Sequence, residues 1–335
     1  VGSEMCIRDR SAPVDISFLS EREEYETKMK KLLPILLGVT LLLNSCIKDD
    51  MDACAGYMHI YFSYIYGGAN RFFETVSTPT QLHFYKQKHK YRELEIAVDE
   101  IGLTEPYRFL KNFDDTDSLE LIAWTQDEAI DYVDTPDTPI GEGYVKLKEI
   151  TDGSGICRPV DDLLYGRIAI DAGLRENRNI VTIPFVRAVC RTRITMIPQT
   201  VEDQVVEEGG TTRAASSIIP SPEDFKFHLY GTRSGVDYNN KANADEVVLE
   251  PQCYYEESTG NVLTPWFGSF SSEGKYLKVN VFIRDEQVAS FDCAPIELTS
   301  VPGNFIDLVI DGHYVKPVMQ VRVNGWKVAT IESNM

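Results

Sequence analysis

The feature that most constrains the fold is a strict alternation of apolar and polar residues over short stretches. From Leu277 to Ile283, every second residue is leucine, valine or isoleucine, and the residues between them include lysine and asparagine. Successive side chains of a β-strand point to opposite faces, so this spacing predicts a strand with one buried face. Beyond the N-terminal apolar segment, no stretch longer than about ten residues has a convincing helical period of 3.6. We therefore predict an all-β fold.

Similar short stretches recur along the chain and predict further strands. These are Met58 to Tyr64, Gln81 to Lys86, Arg92 to Val98, Tyr107 to Leu110, Ser118 to Thr125, Ile180 to Val186, Cys190 to Ile197, Phe225 to Tyr230, Glu246 to Glu250, Tyr276 to Arg284 and Phe305 to Ile310. The stretch Asp131 to Pro139, with its prolines and acids, predicts a loop. The polar stretch Gln199 to Asp224 predicts an exposed insertion. Strands at this spacing are typical of Greek-key sandwiches.

The strongest local signal lies near the C-terminus, where Asn324-Gly325 separates two apolar stretches. This dipeptide favours the two positive φ angles of a type I′ turn, so Val318 to Ile331 is predicted to be a hairpin. A terminal strand can leave its sheet without unthreading the chain, which makes this hairpin a candidate for strand exchange with a partner. The candidate residues are Val321, Val323, Asn324, Gly325, Trp326 and Val328. The alternative is that the hairpin simply completes its own sheet.

The apolar stretch Leu32 to Leu43 follows two lysines and is followed closely by Cys46. Its length of about twelve residues matches the apolar region of a signal peptide and falls short of the roughly 20 that a spanning helix needs. Leu43-Asn44-Ser45-Cys46 resembles the lipobox of bacterial lipoproteins. Cleavage between Ser45 and Cys46 would leave Cys46 as an acylated N-terminus. The alternative is a buried segment with an incidental cysteine, which the preceding lysines and the small Ser45 disfavour.

These signals divide the chain into five segments. We expect residues 1–28 to be non-native upstream sequence, 29–45 a signal peptide with translation starting at Met29, 46–56 a lipidated tether, 57–182 an N-terminal β-sandwich and 183–335 a C-terminal β-sandwich. A mature chain of about 290 residues is longer than a single core usually supports, so two domains are expected.

The mature chain is strongly acidic. Without residues 1–45 it keeps 27 of the 33 basic and 45 of the 52 acidic residues, a net charge of −18. This charge repels phosphate backbones and anionic lipid headgroups. We therefore predict no nucleic-acid partner, and membrane attachment through lipid rather than through a basic surface.

Sequence motifs for catalysis and metal binding are missing. There is no Gly-x-Ser-x-Gly, His-Glu-x-x-His or phosphate-binding glycine loop, so we predict neither an enzyme nor a cofactor or metal site. The dispersed histidines favour ordinary strand or loop positions; they are His59, His83, His89, His228 and His313. Asp114, Asp115 and Asp117 resemble the start of a calcium loop but lack its glycine and distal glutamate, which favours a solvated turn.

Cysteines and tryptophans leave alternatives open. After Cys6 and Cys46 are set aside, the remaining cysteines are Cys54, Cys157, Cys190, Cys253 and Cys293. Without a Cys-x-x-Cys pair they do not support a zinc site, and disulfides are possible with unknown connectivity. Trp124, Trp266 and Trp326 could stack on sugar rings, although tryptophan in small sandwiches is more often part of the core.

Taken in order, several segments resemble one family, the fimbrillin-associated anchor lipoproteins of type V pili. The matching segments are Cys46 with its charged followers, Cys54 before Tyr57 to Tyr64, Leu82 to Tyr85, Leu119 to Trp124, Asp161 to Gly166, Val186-Arg187 and Val323 to Trp326. The sequence departs from the family where Lys86 to Lys90 replaces an acidic, glycine-containing turn, and in the insertion from Gln199 to Asp224.

The resemblance implies two transthyretin-like Greek-key sandwiches in tandem and a palmitoylated lipoprotein exposed on the outer membrane. It implies a role in anchoring a fimbria, limiting its length and joining its stalk subunits by β-strand exchange. The short stretch from Cys46 to Tyr57 leaves little room for a cleavable pro-segment, so we expect the first strand to be retained. The alternative function is a glycan-binding surface lipoprotein beside an outer-membrane importer. A lipid-anchored hydrolase is disfavoured because the sequence offers no candidate nucleophile and base.

Overall fold

The computed structural model describes residues 57–102, 106–110, 119–135, 138–170, 180–198, 221–312 and 316–334. The first half, residues 57–187, contains β1 (Tyr57–Tyr66), β2 (Ala69–Asn70), α1 (Phe72–Thr75), β3 (Thr80–Lys86), β4 (His89–Ile96), β5 (Tyr107–Leu110), β6 (Leu119–Thr125), β7 (Ile130–Val133), β8 (Tyr144–Leu147), β9 (Ile156–Cys157), β10 (Leu164–Ile170) and β11 (Ile180–Arg187). The second half, residues 190–334, contains β12 (Cys190–Ile197), β13 (Phe225–Arg233), β14 (Gly235–Asp237), β15 (Glu246–Leu249), β16 (Tyr254–Glu256), β17 (Asn261–Leu263), β18 (Phe267–Ser269), β19 (Lys278–Ile283), β20 (Glu286–Asp292), β21 (Phe305–Asp311), β22 (Val318–Val323) and β23 (Trp326–Glu332). Short 3-10 helices occur at Val98–Glu100, Pro222–Asp224 and Ala294–Ile296.

Strands dominate both halves, so the prediction of an all-β fold is confirmed. The part of the chain that the structure describes has no helix long and apolar enough to cross a membrane.

The first half forms a large sheet around β1. The order across this first main sheet is β2-β1-β11-β10-β6-β3-β4, and β5 also pairs with β1. β1 pairs with β11 in parallel, whereas β11, β10, β6, β3 and β4 follow one another in antiparallel order. A parallel pair cannot be joined by a tight turn, so its two strands must be well separated in sequence. Here the pair consists of the first and last strands of the half, and the rest of the half connects them.

The second half repeats the parallel pair and adds a hairpin to it. The order across this second main sheet is β16-β17-β12-β21-β22-β23, and β18 also pairs with β12. The first strand, β12, pairs in parallel with β21, as β1 does with β11. β22 and β23 then extend the sheet in antiparallel order. The C-terminal hairpin is thus an extension beyond the parallel pair.

Each half also contributes a strand to a sheet of the other half. A third sheet, β20-β19-β13-β15-β9, takes β9 from the first half and pairs it in parallel with β15. A small sheet, β14-β8-β7, takes β14 from the second half and pairs it with β8. Outside these ladders, the Leu147 N–H donates to the Ser234 carbonyl over 2.8 Å. The described residues accordingly belong to one compact unit, and one hydrophobic cluster contains residues of both halves.

Two glycines allow β14 and the segment after it to lie close to the strands of the first half in the small sheet. A Cβ atom on Gly235 would collide with the carbonyl oxygen of Val145. A Cβ atom on Gly143 would lie 2.6 Å from the ring of Tyr238, whose N–H donates to the Gly143 carbonyl over 3.0 Å. A side chain at either glycine would therefore push β14 away from the first half.

The central strands of the first main sheet, β3 and β6, are buried on both faces. One face contributes residues such as Ile60 and Phe185 to a cluster confined to the first half. The opposite face contributes Tyr85 and Trp124 to the cluster shared with the second half. Burial on both faces explains why β6 is apolar almost throughout and does not alternate. Trp124 is a core residue, as expected for most tryptophans in a sandwich.

The predicted loop Asp131 to Pro139 is wrong in its first residues. The strand β7 covers Ile130–Val133 and pairs with β8 along its whole length. The acids of this stretch predict a loop, but the one acid within the strand, Asp131, lies at an exposed position where a charge is tolerated. The prolines that disfavour a strand come only after β7 has ended.

The predicted domain boundary between residues 182 and 183 falls inside β11. The whole of this strand pairs within the first main sheet, with β1 along Ile180 to Phe185 and with β10 along Phe185 to Arg187. The chain changes sheet at Ala188 and Val189, between β11 and β12. The division into two domains remains a prediction.

The described cysteines form no disulfide with one another. Cys157, Cys190, Cys253 and Cys293 are free, and Cys54 lies outside the described residues. Burial raises the pKa of Cys253 and of Cys293 to about 12, so both remain thiols at neutral pH.

Strand pairing predicts that the protein stays in one piece after the chain is cut within the second half, between β12 and β13. The predicted insertion, of which residues 199–220 lie outside the described residues, offers a place for a specific protease site, for example at Arg213. After cleavage, both fragments should elute together from a sizing column in native buffer and separate in denaturant, because β12 stays with the first fragment and pairs with β17, β18 and β21 of the second, and because β9 and β14 also pair across the cut. Two folded fragments that separate in native buffer would contradict the importance of the shared strands. Uncleaved protein with the same inserted site serves as the control.

Candidate functional site

The C-terminal hairpin has the turn that Asn324-Gly325 predicts. The φ angles of these two residues are 50° and 85°, and Val323 pairs with Trp326 on either side of them. The turn is also tied to β21, because the Asn324 N–H donates to the Phe305 carbonyl over 2.7 Å. In return, the Phe305 N–H donates to Oδ1 of Asn324 over 2.9 Å. The asparagine therefore supplies both the turn conformation and its attachment.

The two faces of β23 have different surroundings. Ala329 and Ile331 are half-buried and pack against the core that the two halves share. Val328 is 52% exposed and Trp326 is 79% exposed. The expectation that tryptophan belongs to the core is therefore wrong for Trp326, which directly follows the exposed turn. In the preceding strand, Val321 is buried.

Within the described ranges, the outer side of β23 is an open sheet edge. β23 is the last strand of the second main sheet, and the described strands give it β22 as its ladder partner. Just beyond the end of β23, the Asn334 N–H donates to the carbonyl of Ser290 in β20 over 2.9 Å. The Ser290 N–H also donates to the Ser333 hydroxyl over 3.3 Å. An open edge presents backbone donors and acceptors to which a strand of another protein can add.

Several predicted site residues lie outside the described residues. They are Ser45 and Cys46 of the lipobox, the acidic cluster at Asp114, Asp115 and Asp117, and His313. Lipidation of Cys46 and solvation of the acidic turn therefore stay predictions.

The sequence profile of the fimbrillin-A associated anchor proteins Mfa1 and Mfa2 matches residues 51–332. The chain belongs to this family. The match runs from before β1 to the last residue of β23 and so includes the candidate hairpin. The family is one of fimbrial anchors and not of enzymes. None of the curated proteins matches the sequence.

Solved structures share the fold of this anchor-family chain. A candidate polysaccharide-binding protein of Bacteroides thetaiotaomicron is 15% identical with a TM-score of 0.55, covering 81% of this chain and 97% of its own. A candidate adhesin of Bacteroides ovatus is 14% identical with a TM-score of 0.54, covering 82% of this chain and 94% of its own. The fimbrial anchor protein Mfa2 of Porphyromonas gingivalis is 10% identical with a TM-score of 0.49, covering 82% of this chain and 99% of its own. At these identities the likeness to the two Bacteroides proteins concerns the fold alone.

The anchor-family chain also contains a buried ionic network that sequence reasoning missed. Nδ1 of His83 lies 3.1 Å from Oδ2 of Asp134, and both side chains are buried. The Lys90 ammonium donates to Oδ1 of Asp134 over 2.8 Å and also to Glu93. Oxygen and nitrogen atoms of His83, Glu93 and Asp134 lie close enough to hold a metal ion, but such an ion would have to displace the ammonium. We therefore assign the network a structural role.

The network lowers the pKa of the Asp134 carboxyl group. Burial by itself would raise the pKa of Asp134, but the hydrogen bonds and charges of His83 and Lys90 lower it to about 2. The unfolded chain would have an ordinary pKa near 3.9 at this residue. The depressed pKa therefore stabilises the folded state fully above about pH 4. That stabilisation, on the order of 2 kcal/mol, is lost as the pH falls from about 4 to about 2.

Substitution of Asp134 should remove this pH dependence. Asp134→Asn is expected to lower the free energy of unfolding at pH 7, because the buried Lys90 loses a charged partner. It should also flatten the fall in stability between about pH 4 and pH 2, measured by denaturant unfolding at each pH. Asp131→Asn, at an exposed position of β7, is the matched control and should keep the wild-type profile. If Asp134→Asn showed the same slope as the wild type, the assignment would be wrong.

Proposed function

We propose that this chain anchors a fimbria to the outer membrane through a lipid on Cys46 and meets the fimbrial stalk along the open edge of β23. Membership of the anchor family supports the general role. The observation that carries the stalk contact is the unpaired outer side of β23, next to the exposed Trp326 and Val328.

Lipid on Cys46 would provide the membrane attachment. The lipobox, the short apolar segment before it and the acidic mature chain all favour attachment by acyl chains over attachment by charge. Each methylene buried in the bilayer contributes about 0.8 kcal/mol, so several chains on one cysteine hold a protein durably. We also propose that the lipid-anchored protein is exposed on the outer surface of the cell. Three aspartates follow Cys46 closely, at positions 49, 50 and 52.

Removal of the lipidated cysteine should release the protein. Cys46→Ala is expected to move the protein from the membrane pellet to the soluble fraction and to abolish labelling by a fatty-acid probe. A substitution at another cysteine, Cys253→Ala, should leave both properties unchanged. Sedimentation and labelling of Cys46→Ala at the wild-type level would show that the anchor lies elsewhere.

Two forms of strand exchange are conceivable at the hairpin, and the contacts of β23 favour one. Donation of β23 to a stalk subunit would break its pairing with β22 along Val318 to Val323 and its hydrogen bonds to Ser290. Addition of a stalk strand to the outer side of β23 breaks neither, and gains a new ladder of main-chain hydrogen bonds. We therefore propose that the hairpin is retained and that the stalk contributes the added strand.

An anchor of this kind would also limit the length of the fimbria. Its lipid-bearing end is held at the membrane, so it offers the growing stalk one attachment point and no second one. Incorporation of the anchor would then end subunit addition at the base.

A single charge on the edge strand should separate the stalk contact from general stability. Val328→Lys places an ammonium beside the open edge, and lysine on an edge strand opposes the addition of another strand. We expect about tenfold less stalk protein to co-purify with the anchor, and fimbriae to be shed into the medium. Val186→Lys is the matched control, because Val186 is also 52% exposed but lies in β11, which has neighbours on both sides.

The control should bind stalk subunits normally. Truncation after Gly325 should abolish the contact as well, because it removes β23. Normal stalk binding by a folded Val328→Lys variant would exclude the edge of β23 as the contact.

A further inference from the structure

A recess lies at the seam between the two main sheets. Its lining comes from the end of β1, the segment before β18, the segment before β21 with the start of that strand, and the Asn324-Gly325 turn. These parts border an open recess of about 460 Å³. The lining residues are Tyr66, Trp266, Gly303, Phe305, Asp307, Asn324 and Gly325. Ligand sites occur preferentially at such junctions between parts of a fold.

Aromatic rings form the walls of this recess and are held in fixed orientations. Tyr66 is 57% exposed and stacks on Tyr64 with their ring centres 6.3 Å apart and their planes 11° apart. Trp266 meets Phe305 edge to face, with the ring centres 5.6 Å apart. None of the three lining rings belongs to the buried core, so the core does not account for their placement.

Arginines support these rings from the side. The guanidinium of Arg193 lies over Trp266 at 4.8 Å from the ring centre, and that of Arg187 lies over Phe305 at 5.0 Å. Such cation–π contacts, worth about 0.5–1 kcal/mol at exposed sites, restrict the rotation of the rings. The aromatic walls are thus prepared before any ligand arrives.

The recess offers hydrogen-bonding groups without free charge. Among the described residues that line it, Asp307 alone is charged, and Arg193 binds both of its carboxylate oxygens, over 3.1 and 3.0 Å. Arg187 is paired in the same way, with Asp162. A carboxylate oxygen that accepts one hydrogen bond can still accept another, so Asp307 remains available to a hydroxyl group. Asn324 also lines the recess; its Oδ1 accepts from the Phe305 N–H and its Nδ2 donates to Oδ1 of Asn304, which leaves one acceptor site and one N–H for a hydroxyl group.

These features together select the chemistry of a ligand. An acyl chain would leave the hydrogen-bonding capacity of Asp307 unused. A phosphate or an acidic peptide would need a cationic side chain without a carboxylate partner, whereas Arg193 and Arg187 are both paired with aspartates. A pyranose ring has an apolar C–H face for the aromatic walls and hydroxyl groups for Asp307 and Asn324. We propose that the seam recess binds a neutral saccharide, a function separate from the anchoring proposed above.

Titration of the full-length protein in detergent with neutral saccharides tests this assignment. The panel consists of methyl glycosides of glucose, galactose, mannose and N-acetylglucosamine and of their disaccharides, with binding followed by calorimetry and tryptophan fluorescence. We expect at least one to bind, and Tyr66→Ala and Trp266→Ala each to weaken that binding by about tenfold. Trp326→Ala, which changes an exposed tryptophan outside the recess, should bind as the wild type does.

Several outcomes would overturn the assignment. One is the absence of binding by every saccharide of the panel at 10 mM, and another is unchanged binding by Tyr66→Ala. Tyr66 is the exposed last residue of β1, so this variant tests the recess even if Trp266→Ala fails to fold. A third is loss of stalk binding by Tyr66→Ala and Trp266→Ala while both variants still bind saccharide. That result would show that the recess binds the stalk and not a saccharide. The Val328→Lys variant should keep saccharide binding, so that the two functions fail independently.

Discussion

The exchange of single strands between the two halves is the contact on which the rest of the described structure depends. β9 completes the third sheet and β14 completes the small sheet, so neither half closes its own sheets alone. The arrangement requires Gly235, because any side chain there would meet the Val145 carbonyl. The two halves consequently belong to one compact unit.

Hairpins show how much of the fold the sequence could reveal. Asn324-Gly325 announces its turn because both residues tolerate positive φ. Gln87-Lys88 and Arg284-Asp285 adopt the same conformation, with φ angles of 52° and 70° and of 49° and 67°, although none of the four is glycine or asparagine. Strand pairing imposes these angles, and the left-handed region costs ordinary residues some energy. Because these two turns lack a sequence signal, the sequence does not predict β20, and it predicts that β4 begins at Arg92 although the strand begins at His89.

The candidate sites differ in how far sequence could reveal them. The C-terminal hairpin is local, so the pattern around Asn324-Gly325 contains nearly all the information that its geometry needs. The network of His83 and Asp134 joins residues 51 positions apart, and the acid lies in a segment read as a loop. The seam recess collects residues from Tyr66 to Gly325. Pairing that brings such distant residues together depends on sheet order, which alternation of apolar residues does not specify.

If lipid holds the protein at its N-terminal end, as proposed, the parallel pairing of β1 with β11 has a mechanical consequence. In a parallel pair, the beginning of the first strand and the end of the second lie at opposite ends of the ladder. Tension that enters ahead of Tyr57 and leaves through β12 therefore slides β1 along β11. The hydrogen bonds along His59 to Tyr64 then share the load simultaneously and are not opened one by one from an end. β12 and β21 repeat this geometry, so a steady pull from flowing liquid meets two shear joints in series.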